Sequence, residues 1–236
     1  MENWNDADFA RAWATENPAD DGGRKQGLDL LIAILANHLA GRATPTRTLD
    51  LGCGHGVIAV RVLREIAGTT VVGVDGSPPM LEMARERLAP YAGRFTLTQA
   101  SFETMTPDAL IGGPFDAAIA VQSIHNCSDE GKQRTLASVR SVMASGGLFL
   151  QLDRIRLATP ALFGVYRTVW DAVGSNYNRQ QNEGATFAEH DALRATRGDK
   201  PGSLEQNLLW LREAGFVQVA AVQVVGIRAL IAAVVE

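Results

Sequence analysis

Apolar residues recur along this chain at two spacings. Leu28, Leu31, Ile32, Leu35 and Leu39 stand three and four apart and predict a helix ending near Gly41. Residues 46–51 then read as a buried strand, and residues 56–66 return to helical spacing. The β-branched run 70–75 predicts a second strand. Ser77-Pro78-Pro79 opens the next helix, which runs to about Leu88. Ser77 can cap it, and proline in a first turn gives up only an N–H that has no helical partner. Residues 95–99, 115–121 and 147–152 read as strands three, four and five, with Leu136, Val139 and Met143 marking a helix before the fifth.

Regular alternation of strand and helix implies a parallel sheet covered on both faces. The alternation breaks after Asp153. From 154 to about 203 the chain carries a helical stripe of Leu162, Tyr166, Val169 and Val173, then a polar stretch rich in Asn and Gln. Residues 204–214 predict a helix closed by Gly215. Residues 217–225 and 227–234 predict two antiparallel strands separated by Gly226 alone. The expected organisation is a single domain over 1–236, with an N-terminal helical lid at 1–41 and an inserted substrate-binding cap at 154–203. No repeat or low-complexity segment interrupts it.

Composition narrows the class. A hydrophobic fraction of 46% and a charged fraction of 20% are ordinary for a globular protein. A formal net charge of −4 gives no field to attract nucleic acid or an anionic membrane, and neither partner is expected. No apolar run reaches the roughly 18 residues that span a bilayer, and the first residues lack the basic and apolar regions of a signal peptide. Cys53 and Cys127 have no metal-ligand spacing, so no metal site is expected. These features together predict a cytoplasmic protein, monomer or homodimer.

The chemistry is concentrated in Leu49-Asp50-Leu51-Gly52-Cys53-Gly54-His55-Gly56, where glycines alternate directly after an apolar run. A dinucleotide fingerprint needs a third glycine where Val57 stands, and a phosphate loop needs a lysine that is absent. What remains is D-x-G-x-G-x-G. Without Cβ atoms the backbone can curl against an uncharged part of a ligand. Asp75 follows about 20 residues on, at the end of the next strand, the distance at which an acid meets a ribose.

The stretches LDLGCGHGVIA (49–59), VVGVDGSPPML (71–81), QASFETM (99–105), FDAAIAVQSIHN (115–126), LASVRSVMASGGLFL (136–150) and LLWLREAGFVQV (208–219) resemble the class I S-adenosylmethionine-dependent methyltransferases, in the bacterial branch acting on small molecules. The resemblance covers about residues 25–153 and 204–236. It implies an α/β fold: a Rossmann-like three-layer sandwich with a seven-stranded, mostly parallel sheet, the last strand antiparallel, and a helical insertion between strands 5 and 6. It implies S-adenosylmethionine as cofactor and S-adenosylhomocysteine as product. By the same resemblance Gly52, Cys53 and Gly54 line the methionine part through their backbone, and Asp75 accepts both ribose hydroxyls, with Gly76 leaving room beside the sugar. Met80 lies on the adenine, Asp50 orients the loop or the cofactor's amino group, and Val121 ends strand four beside the cofactor. Where the family commonly has an acid for the adenine amino group, this chain has Ser101 followed by Phe102. A hydroxyl accepts without charge assistance.

Methyl transfer at a sulfonium needs mainly positioning of the nucleophile and exclusion of water, with a base where oxygen or nitrogen attacks. His125, after strand four, is the candidate base. Asp153, Tyr166, Trp170, Tyr177 and the N-terminal Trp13 are expected to line a substrate pocket. His38 is expected at the surface, and His55 to contribute its backbone. Residues 153–205 contain seven basic and seven acidic residues, so they offer no polyanion surface. A closed pocket for a small metabolite, aromatic or heterocyclic, fits better. The rival readings are a non-methylating S-adenosylmethionine-binding protein, such as a cyclase or regulatory subunit, and an RNA- or protein-directed methyltransferase.

Overall fold

A computed structural model describes residues 3–16, 22–157, 159–176 and 183–236. Strands β1 (Thr46–Leu51), β2 (Thr69–Asp75), β3 (Phe95–Gln99), β4 (Phe115–Val121), β5 (Met143–Arg154), β6 (Val217–Val225) and β7 (Arg228–Val234) form one sheet in the order β3-β2-β1-β4-β5-β7-β6. The first five strands are parallel, and β7 runs antiparallel to both β5 and β6.

The helices are α1 (Ala7–Glu16), α2 (Gly22–Ala40), α3 (Val57–Glu65), α4 (Pro78–Leu88), α5 (Asp129–Ser141), α6 (Phe163–Asn176), α7 (Phe187–Arg197) and α8 (Leu204–Glu213). The central strand β4 is buried on both faces, which is why it reads as a continuous apolar run from Ala117 to Val121 rather than an alternating one. Ala117 and Ile119 face a core shared with Leu31 and Leu35 of α2, Val62 and Leu63 of α3 and Leu88 of α4. Ala118 and Ala120 face the opposite core, with Leu136 and Val139 of α5 and Trp210 and Leu211 of α8. The result is the expected three-layer sandwich. No helix among the described residues is long and apolar enough to cross a membrane.

Caps explain where several helices begin. Ser77 Oγ accepts the Met80 N–H at 3.3 Å, and Ser203 with Gln206 closes a reciprocal capping box on α8.

Three expectations need correction. Met143 belongs to β5, not to the preceding helix: α5 stops at Ser141, and Met143 pairs with Phe115 across an irregular step in the ladder. The β6–β7 turn takes Gly226 and Ile227, since Val225 pairs with Arg228 and one residue cannot reverse an antiparallel ladder. The expected lid at 1–41 divides in two. α2 lies on the sheet as a full member of the sandwich and touches the cleft described below through Leu28, while Trp4, Asn5 and, on α1, Phe9 and Trp13 line that cleft.

The insertion after β5 holds α6 and α7 around a small core of its own, Leu157, Phe163 and Trp170, closed by Ile227 of the β6–β7 turn. Gly226, at φ +57°, lets the hairpin reverse, and a Cβ there would lie 2.2 Å from Trp170 Nε1. The turn and the cap therefore fit only because this residue has no side chain.

Candidate active site

The strand order reverses between β1 and β4, and the crevice at their carboxyl ends is where an open α/β sheet binds its ligand. A cleft of about 780 Å³ opens there. The glycine loop after β1 forms one wall, Asp75 and Gly76 after β2 a second, and Val121 to Cys127 after β4 a third.

The loop is held from both sides. Gly52, at φ +69°, lies so close to Ser123 that a Cβ would meet Ser123 Cβ at 2.3 Å, and Ser123 Oγ donates to the Leu51 carbonyl at 2.8 Å. Gly54 donates its N–H to Asp75 Oδ2 at 2.9 Å, while Asp75 Oδ1 accepts the Ser77 N–H at 2.9 Å. Burial raises the Asp75 carboxyl above the usual range, and the N–H groups of Ser77, Gly54 and Gly76 oppose that rise. Each carboxylate oxygen keeps a further lone pair. Asp50 is buried beneath the loop, and its Oδ2 has no hydrogen-bond partner. Burial first, and the Asp75 charge second, push its carboxyl up to about 7.

Cys53 is buried, and its side chain points at the sheet, where Gly73 of β2 makes room for it. Burial drives its thiol well above the usual value, so it is no nucleophile. Met80 is buried and lines the cleft. Ser101 and Phe102 both line it, but Ser101 Oγ already accepts the Glu103 N–H at 3.2 Å. Glu103, the acid two positions on, is turned to the N-terminus of α5, where it accepts the Ser128 N–H at 2.8 Å.

His125 is buried in the middle of a short 3₁₀ turn after β4. Its Nδ1 lies 2.5 Å from Asp153 Oδ1, and its backbone N–H donates to Asp153 Oδ2 at 3.1 Å. Asp153, buried at the end of β5, thereby holds both ring and backbone. Since a carboxylate only accepts, Nδ1 carries a proton, so in the neutral ring the lone pair sits on Nε2.

The structure separates the expected pocket residues. Trp13 lines the cleft and meets His55 edge-to-face at 6.0 Å. Trp170 stacks on His190 at 5.4 Å within the cap, and Tyr166 packs beside it, so neither reaches the cleft. The helical spacing that predicts them marks the cap's own core. Tyr177 lies outside the described residues. His38 is half-buried, with Nε2 3.2 Å from the Asp116 carbonyl, rather than at the surface.

Several cleft residues were not expected. Trp4 and Phe9 join Trp13 in an aromatic cluster, with centroids 5.3 and 5.2 Å from Trp4, and Ser77 Oγ donates to the Trp4 carbonyl. Gln122 takes φ +53°, rare for a side-chain-bearing residue and a mark of functional loops. Arg154, Arg197, Asp199 and Arg228 enter from the cap side. Among the described residues no cluster of His, Cys, Asp or Glu could hold a metal ion.

A family model described as a methyltransferase domain matches residues 48–147. A ubiquinone/menaquinone biosynthesis C-methyltransferase from Syntrophotalea carbinolica is 33% identical over 180 residues, 75% of this chain and 73% of that protein. This chain belongs to the class I S-adenosylmethionine-dependent methyltransferases. Its methyl donor is S-adenosylmethionine. The methyltransferase is also 32% identical over 131 residues to a magnesium-protoporphyrin O-methyltransferase from Rhodobacter capsulatus, covering 52% of this chain and 55% of that one. Among solved structures it shares its fold with the CurJ carbon methyltransferase, with a TM-score of 0.68 at 16% identity over 99% of this chain and 59% of that one.

The cleft fits this cofactor on its own chemistry. A carboxylate with spare lone pairs on the cleft wall suits vicinal hydroxyls, and a loop pressed against Ser123 leaves its outer side for the ligand, while Asp50 lies beneath that loop and outside the cleft lining.

Proposed function

We propose that this methyltransferase transfers a methyl group to an oxygen, nitrogen or carbon nucleophile of a small metabolite, with His125 as general base and Asp153 as the residue that positions it. The observation that carries this reading is His125 on the wall of the cofactor cleft, backed by the buried Asp153. Asp75 would hold the ribose, Asp50 would orient the glycine loop from beneath, and the backbone of Gly52, Cys53 and Gly54 would line the methionine part. Gly76, Met80, Ser101, Phe102 and Val121 complete that wall. When bound, the cofactor supplies an activated sulfonium methyl. The chain's part is then to present the acceptor in line, exclude water beneath Trp13 and its neighbours, and take a proton at His125 Nε2.

A small acceptor is supported by the volume of the cleft, which has room for a nucleoside cofactor and a modest second molecule. The named relatives include one carbon and one oxygen methyltransferase, so they leave the attacking atom open. The net charge of −4 supports an acceptor other than nucleic acid, and a cytoplasmic monomer or homodimer remains our reading. Release of S-adenosylhomocysteine across a metabolite panel tests the proposal. Turnover on small acceptors that collapses in H125A supports it; tight cofactor binding with no turnover on any acceptor counts against it.

A further inference from the structure

We infer that the acceptor carries two adjacent polar hydrogens, as vicinal hydroxyls or a hydroxyl beside an amine, taken up together by His125 and Asp199. This rests on the reading of the cleft as a methyl-acceptor site. Asp153 engages both the ring and the backbone of His125, so the carboxylate is fixed against the loop and the imidazole cannot turn without breaking its Nδ1 hydrogen bond. Nε2 therefore faces one way. Opposite it, at 3.6 Å, stands Asp199 Oδ1. That is too long for a hydrogen bond.

Asp199 is held in this place. Its side chain is only 2% exposed, and its other oxygen accepts from Arg194 Nη1 at 3.2 Å and from Arg154 Nη1. Arg194 is in turn paired with Glu183 at 2.8 Å. The next residue, Lys200, donates its N–H to the His125 carbonyl at 2.7 Å, which ties this part of the cap to the base. One Asp199 oxygen is thus doubly paired, and the other is presented beside Nε2 on the wall of the same cleft.

With the ring neutral, as a general base must be, Nε2 and Asp199 Oδ1 are two acceptors side by side, and they select a molecule with two donors. With hydrogen bonds of about 2.7–3.0 Å, donors on neighbouring atoms reach both. A molecule with one hydroxyl satisfies one acceptor and leaves the other bare, and sites built to hydrogen-bond a hydroxyl discriminate strongly against analogues lacking it. Asp199 is absent from the sequence-level candidates because nothing near it in the chain marks it; the cap carries it to His125.

Binding of catechol, 2-aminophenol and phenol to the enzyme loaded with S-adenosylhomocysteine, followed by saturation-transfer NMR, tests this without requiring turnover. Catechol and 2-aminophenol should bind about tenfold tighter than phenol, the factor given by one hydrogen bond of about 1.4 kcal/mol. In D199N the amide oxygen turns to the arginines and the NH₂ faces the cleft, so the preference should fall below about threefold while S-adenosylhomocysteine affinity stays unchanged. Equal binding of the three probes, no binding of any in the millimolar range, or an undiminished preference in D199N overturns the inference. Because binding is read directly, a failure here is distinct from a failure of His125 as base, which shows only in turnover.

Discussion

Asp75 Oδ2 accepts the Gly54 N–H at 2.9 Å, so the end of β2 clamps the glycine loop that follows β1. One carboxylate thus shapes the loop and, with its remaining lone pairs, faces the cleft. Replacing it acts on both. Asp75→Ala should weaken S-adenosylmethionine binding by about 1–3 kcal/mol, the range for losing hydrogen bonds to a charged acceptor. Calorimetry that shows wild-type affinity would remove Asp75 from the site.

Asp50 predicts a pH dependence of stability. Its carboxyl is raised to about 7, well above the value of about 3.9 it has in an unfolded chain. Between those values the folded state holds a proton that the unfolded state has lost, so the contribution of this group to stability falls as pH rises from about 4 to about 7 and then levels off. Asp50→Asn removes that dependence. Thermal unfolding without cofactor should show the asparagine variant gaining on wild type across this window. A constant difference at every pH would mean that Asp50 titrates normally.

His125→Ala should lower turnover by about 10²- to 10⁴-fold, the usual contribution of a positioned base, with cofactor affinity unchanged. Asp153→Asn should follow it in part, because an amide no longer dictates which ring nitrogen carries the proton. Product release at saturating cofactor checks both, and unaltered rates in either variant would reduce the pair to packing.

Gly52→Ala forces a Cβ to within 2.3 Å of Ser123 Cβ at a φ of +69°. The backbone conformation alone costs about 1–3 kcal/mol. A lowered melting temperature together with lost cofactor binding is expected. An alanine variant that binds normally would show that the loop tolerates displacement from Ser123.

Gly226→Ala tests the cap by itself. The new methyl group meets Trp170 Nε1 at 2.2 Å, in the core of the cap. Cofactor affinity should persist while acceptor turnover falls, since the displaced cap carries Asp199. Equal loss of both would mean that cap and cofactor site are coupled more tightly than their separate cores suggest.

The sandwich was legible because both signals that define it are local. Strand runs such as 115–121 and helix stripes such as Leu31–Leu35–Leu39 report burial on one or two faces within a few residues. The glycine loop and Asp75 were legible for a related reason: fold geometry places them at a set distance along the chain. The cap was harder. Tyr166 and Trp170 stand at a spacing that marks burial without saying against what, and they bury against Phe163, His190 and the β6–β7 turn instead of the cleft.

The order of strands and helices, the cofactor loop and its acid partner follow from the sequence by itself, because periodicity, turn chemistry and short-range spacing act within one or two elements. The partners of those residues were decided only by tertiary structure. Asp153 and Asp199 reach His125 from 28 and 74 positions away, and Ser123 closes on Gly52 from 71. No local pattern encodes such pairs. They exist because the parallel sheet brings the ends of β1, β4 and β5 together at one edge and the cap folds back over them.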